Sequence, residues 1–187
     1  MFANLLTDRS CRRQSVMELC RLHCRLASLY QLYTHNRAEE RSHLNLALEV
    51  LKKSRENNLV MELRGHLTCW RADMLIGDNN KTLAACDVQE ALSCFARVSN
   101  MPQLQSYALV KRFQLCMLQD DTDGAKTALL SAIEAEQKQP NFPPSLTLIL
   151  CRLLSAHLNL RQATPLYRHA HVDLLSAHVS QCVLLSV

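Results

Sequence analysis

Glycine and proline are scarce in this chain, three and five among 187 residues, and aromatic residues make up only 5%. A sheet protein needs more turn formers and more β-branched residues than that, so the shortage argues for helices. No window approaches the roughly 18 uninterrupted apolar residues of a membrane span, and Met1 to Arg13 lacks the basic start and long apolar middle of a secretory signal. The expectation is therefore a soluble protein of the cytoplasm or nucleus, with no membrane association. Basic residues exceed acidic ones by four, 21 against 17, but they are dispersed rather than clustered, which argues against a nucleic-acid footprint. There is no glycine-rich phosphate loop, no G-x-S-x-G elbow and no pair of carboxylates in a recognisable setting. No enzyme, no cofactor and no metal are expected.

What is abundant is hydrophobic sequence, 48%, rich in leucine and alanine. Its clearest arrangement lies between Met101 and Gln139. Leu104, Tyr107, Ala108, Leu115, Cys116 and Leu118 recur at helical spacing, and Asp120-Asp121-Thr122-Asp123-Gly124 then breaks the run with turn residues. Ala125, Ala128, Leu129, Ala132 and Ile133 form a second stripe, closed by Pro140. Neither helix buries its stripe alone, so a stack of such hairpins is implied.

The rest of the chain repeats this unit. The first 13 residues carry no convincing pattern and are expected to be poorly ordered. A helix from Gln14 to Thr34 shows Val16, Leu19, Leu22, Leu26, Leu29, Tyr30 and Tyr33 on one broad face. A second spans about Ala38 to Glu56, a third Leu59 to Ile76, stopped by Gly77-Asp78-Asn79-Asn80, and a fourth Thr82 to Val98. After the template hairpin, Ser145 stands where it would cap a seventh helix ending near Leu160, and Pro165 fits the first turn of an eighth. The expected hairpins are 14–56, 59–98, 102–138 and 145–187, in a single domain from 14 to 187.

Small residues punctuate these helices. Ala27, Gly65 and Ala108 fall midway along the first helices, and Ala47, Ala91 and Ala128 along the second, where two helices of a hairpin would approach closely. Separations of 44 and 37 between the second-helix positions bracket a repeat of about 40 residues. On these residues the chain resembles the tetratricopeptide-like (TPR-like) family of helical repeats. The aromatic three residues after the first small position is matched by Tyr30 but not by Thr68 or Lys111, so the resemblance is to a degenerate, long-repeat member. It implies an all-α fold of about eight helices, in which antiparallel hairpins stack as a right-handed α-solenoid. It also implies a concave groove lined by the first helices. That groove would hold a peptide or helix of a partner protein, in three lanes: Ser28, His66 and Leu109; Gln31, Cys69 and Arg112; and Leu32, Trp70 and Phe113. The candidate binding residues are accordingly Gln31, Leu32, His66, Trp70, Leu109, Arg112 and Phe113.

Other constellations are weaker. Cys20, His23 and Cys24 share one helix face at i, i+3 and i+4, a spacing open to zinc. Paired turn-borne ligands are missing, and neighbouring leucines favour ordinary core thiols. His169, His171 and His178 have no acidic or cysteine partner near them. Asp120, Asp121 and Asp123 lack the glutamate that a calcium loop requires. Nine cysteines at scattered positions suit reduced, buried thiols.

Two functions compete. The leading one is a non-catalytic interaction scaffold; the other is a fragment or subunit of a larger helical complex or enzyme whose catalytic part lies elsewhere. The apolar residues Leu174, Leu175, Val179, Val183, Leu184 and Leu185 would be bare on a final helix, which suits end-on docking through that helix.

Overall fold

The computed structural model describes residues 9–98, 102–138, 145–160 and 170–177, and among them it is all-helical, with no strand. Helix α1 spans Arg9–Leu29 and runs into a π-helical turn, Tyr30–Thr34. The others are α2 (Arg37–Lys52), α3 (Asn58–Gly77), α4 (Lys81–Arg97), α5 (Pro102–Leu118), α6 (Thr122–Gln137) and α7 (Leu146–Leu160). Residues 170–177 are also helical. Helix α1 thus begins five residues before the sequence suggested. Pro165, His169, His178 and the C-terminal apolar run from Val179 lie outside the described residues.

The helix starts are set by short polar side chains. Asn57 accepts a hydrogen bond from the Val60 N–H at 2.9 Å, Asp121 from Gly124 at 2.8 Å, and Ser145 from Leu148 at 3.0 Å. Asn36 and Asn80 cap α2 and α4 in the same way. Each satisfies one of the donors that a helix start leaves unpaired.

The turns within three hairpins share one device. His35, Asn79 and Asp120 take left-handed backbone angles, φ 51°, 57° and 57°, and each directly precedes a capping residue. Asn, Asp and His tolerate this conformation better than most side chains. The closing bonds match too: the Asn80 N–H donates to the Leu75 carbonyl at 2.8 Å, and the Asp121 N–H to the Cys116 carbonyl at 2.9 Å. The three left-handed residues fall 44 and 41 positions apart.

Gly77 is not the left-handed stop that its place in the turn suggested. It has no positive φ. The left-handed residue of this turn is Asn79, and an added Cβ at Gly77 would meet only the far end of the flexible Arg37 side chain, whose Nη2 lies 2.8 Å away.

Every helix packs on the next one in the chain, and in addition α3 meets α5 and α5 meets α7. The six small positions are all buried: Ala27, Ala47, Ala91 and Ala108 are sealed, Ala128 is 3% exposed, and Gly65 sits against the Phe95 ring. Polar ties reinforce the contacts. Arg71 of α3 grips both Asp87 oxygens of α4 at 2.7 Å, and Arg64 pairs with Glu90. Buried Glu136 of α6 accepts from Ser106 of α5 and from Ser145 at the start of α7.

Helix α1 corrects the sequence reading of its buried face. Its core side is Met17, Cys20, Cys24 and Ala27, packed against Leu44, Ala47, Leu48 and Leu51 of α2. Leu19, Leu22 and Leu29 are instead about half exposed, at 45%, 52% and 50%. Small and thiol side chains let the two helices approach closely, and the bulkier leucine stripe is left facing outward.

Candidate functional site

The odd-numbered helices line three adjoining clefts. The first, about 270 Å³, lies between the π-helical turn, the start of α2 and α3, and is walled by Gln31, His35, Arg37, Glu40, Trp70, Asp73 and Met74. The second, about 370 Å³, joins Ser28 and Gln31 to His66, Trp70 and Asp73 of α3 and Tyr107 of α5. The third, about 660 Å³, runs from Asp73, Ile76 and Gly77 across Phe113, Gln114, Met117 and Leu118 to Leu154 and His157 of α7. Asp73 borders all three.

The chemistry of this face is set by two buried charges. Glu40, 4% exposed, accepts the Trp70 indole N–H at 2.8 Å, which fixes the ring while its body packs against the core shared by α1, α2 and α3. Lys111, 8% exposed, donates to Asp73 at 2.7 Å and lies 5.4 Å from the centroid of the Tyr107 ring. A desolvated ammonium needs such partners. The Asp73 side chain remains 48% exposed, so its carboxylate keeps lone pairs open to the clefts. His66 meets Phe95 edge-on at 5.2 Å and Tyr107 at 6.2 Å. Burial pulls the His66 pKa down from 6.5, with Glu62 opposing it, and burial pushes the Tyr107 phenol up. The face therefore offers neutral aromatic and imidazole surface around one tethered, half-exposed carboxylate.

Three of the seven residues expected from the sequence come together here: Gln31, His66 and Trp70. Of the other four, Phe113 alone reaches a cleft, the third. Leu32 is 65% exposed and walls none of the clefts. Leu109 is half-buried against the core shared by α5, α6 and α7, and Arg112 is exposed and walls none of the clefts. Phe113 is 4% exposed, a core residue with an edge on the third cleft. Cys69, expected in the second lane, is sealed.

The cause is register. The lanes paired Gly65 with Ala108, 43 residues on, whereas the recurring turn relates α3 to α5 by 41. A slip of two residues rotates a helix by about 200°. With 41, Tyr107 takes the place assigned to Leu109, and Lys111 stands opposite Trp70. Tyr107 and Lys111 were missed for this reason, and Asp73 and Glu40 because charged residues at helical spacing read as solvent-facing. Their signal was the repeated left-handed residue and cap, His35-Asn36, Asn79-Asn80 and Asp120-Asp121.

The weaker constellations resolve differently. Cys20 is buried and Cys24 half-buried, both on the core side of α1. A hydrogen bond between the two thiols raises the Cys20 pKa, as burial also does, and lowers that of Cys24 against the opposing effect of burial. His23 turns instead to His43 of α2, with Nδ1 to Nδ1 at 3.0 Å. Burial pushes the Cys69 and Cys151 thiols up to about 12 and raises Cys94 and Cys116 as well. These thiols stay protonated and closed to solvent, the opposite of an activated nucleophile. Among the described residues, no three His, Cys, Asp or Glu side chains gather as a metal site, and no helix is long and apolar enough to cross a membrane.

Compared with known proteins, the chain matches no family model, no curated protein and no solved structure.

Proposed function

We propose that the chain is a non-catalytic scaffold of stacked TPR-like hairpins, forming a right-handed α-solenoid that binds a peptide or helix of a partner protein along α1, α3, α5 and α7. One observation carries the reading: three adjoining clefts on those helices share Asp73, a carboxylate tethered on one side by Lys111 and open on the other. A row of clefts several helices long suits an extended or helical ligand better than a small molecule. The recurrence of one turn geometry at 44 and 41 residues, with the added contacts of α3 to α5 and α5 to α7, supports a repeat stack. The closed thiols favour a binding role over a cysteine-dependent hydrolase. The proposed setting is the cytoplasm or nucleus, where reduced cysteines persist.

Affinity capture from cell extract, run in parallel with wild-type protein, Asp73→Arg and Glu49→Ala, tests this. Glu49 is exposed on α2, away from the clefts. A captured protein that Asp73→Arg loses and Glu49→Ala keeps supports the reading. Partners retained equally by all three forms place the binding surface elsewhere.

A second reading, a subunit held within a larger helical complex, is favoured by α1. Its outward leucines Leu19, Leu22 and Leu29, spaced by three and seven residues, form one side that a neighbouring helix could cover, and Leu174 and Leu175 are 44% and 51% exposed. Capture that depends on Leu22→Asp but not on Asp73→Arg would favour it.

A further inference from the structure

We propose that His23 and His43 form a two-histidine site for a divalent transition-metal ion of the zinc, nickel or copper kind, which clips α1 to α2. The two side chains come from different helices and are neighbours only because the hairpin closes. Their Nδ1 atoms lie 3.0 Å apart. Two imidazole nitrogens bound to one ion at about 2.0–2.1 Å, at angles between octahedral and tetrahedral, are separated by about 2.9–3.4 Å. The pair already has the ligand separation.

The orientation is nearly set as well. The rings are 5.3 Å apart and inclined at 31°, and Tyr30 stacks on His43 at 5.5 Å and 15°. As the rings stand, one nitrogen donates to the other along the line between them. To converge on an ion beside that line, each lone pair swings by about 40°, a rotation about the last side-chain torsion, which is broad for histidine. The bridging proton moves to Nε2 of its own ring, so the ion need not compete with a net proton loss. Both rings are only half-buried, so an ion arrives from solvent and water fills its remaining positions.

Two ligands make an exchangeable site, since structural zinc uses four. In the sequence Cys20, His23 and Cys24 read as core residues and no metal was expected; the thiols do face the core, and the site departs from that expectation because His43 of the next helix stands beside His23. The two ligands are brought together only in the closed hairpin, so this pairing is lost when α1 and α2 separate.

The test is isothermal titration of the full chain with zinc chloride at pH 7.4, in a non-chelating buffer with a phosphine reductant. The result expected is one equivalent bound, weakened at least 10-fold by His43→Ala and by His23→Ala, and unchanged by His171→Ala and Cys86→Ser, both at exposed positions. Circular dichroism of each variant checks its helix content. For wild-type protein, long-range nitrogen NMR adds a readout independent of any substitution, with the Nδ1 signals of two histidines shifting together as zinc is added. No heat and no Nδ1 shift up to 1 mM zinc overturns the proposal, as does binding that survives both histidine substitutions in folded protein.

Discussion

Gly65 is the position at which a single methyl group tests the packing between α3 and α4. In the interior of an exposed helix, replacing glycine with alanine stabilises by about 0.5–1 kcal/mol, because alanine gives up less backbone entropy on folding. Here the new Cβ would sit 2.7 Å from Cζ of Phe95. That ring is fully buried, in a cluster with the sealed side chains of Cys69, Ala91 and Ala108, and His66 meets it at 5.2 Å. It has nowhere to go without moving a helix. Overpacking of this kind costs about 1–3 kcal/mol, which exceeds the propensity gain, so Gly65→Ala should destabilise by about 1–2 kcal/mol net of the propensity term. For a chain of this length that lowers the melting temperature by about 2–8 °C. The second half of the experiment is a double-mutant cycle. Phe95→Leu alone leaves a cavity, but in the Gly65→Ala background the added methyl takes up part of it, so the two costs should fall short of their sum by about 1 kcal/mol. Differential scanning calorimetry of the four proteins measures both quantities. A Gly65→Ala variant that melts higher than wild type, or strictly additive costs, would show that the two helices do not meet at this ring.

Ala128, 3% exposed, and Glu134, exposed on the same helix, should respond in opposite ways: Ala128→Glu costs about 3 kcal/mol or more by burying a charge, while Glu134→Ala stays within about 0.5 kcal/mol, and equal urea midpoints would refute the assigned helix face. In native protein, Ellman's reagent should label exposed Cys86 rapidly and leave Cys20, Cys69, Cys94, Cys116 and Cys151 unreacted until denaturant is added; fast labelling of Cys69 or Cys151 would contradict their raised pKa values. Trp70 is half-buried and tied to Glu40, so acrylamide should quench its emission only in part and a ligand filling the clefts should shift that emission to shorter wavelength; complete protection in the free protein would remove Trp70 from the binding face. His66 has a folded pKa below its unfolded value of 6.5. Its contribution to stability is therefore complete above about pH 6.5 and is lost as pH falls from there through the lowered folded value, and the wild-type loss over that window should shrink in His66→Gln.

The helices were legible from the sequence because their signals are local. Asn57, Asp121 and Ser145 act within three residues of themselves, and the positions of Ala47, Ala91 and Ala128 express the period of a single helix. Register between hairpins is a different kind of information. It depends on where each turn closes, and the decisive residues, Asn79 and Asp120, were visible only as turn formers. Their left-handed angles, which fix the offset at 41 residues, appear once the backbone is known. The same limit explains α1. Its leucines form the strongest apolar stripe by hydropathy, yet the close approach of α2 is made through Cys20, Cys24 and Ala27. Hydropathy ranks side chains by transfer from water and carries no term for how near two backbones must come. The polar residues of the clefts were harder still. Glu40 and Lys111 lie at helical spacings that suit solvent, and what sets them apart is burial: Glu40 against the Trp70 indole, and Lys111 between Asp73 and the Tyr107 ring. A buried charge is retained at a desolvation cost that a hydrophobic residue of similar size would avoid. Here the two buried charges hold the one aromatic N–H and the one open carboxylate on which the proposed recognition depends.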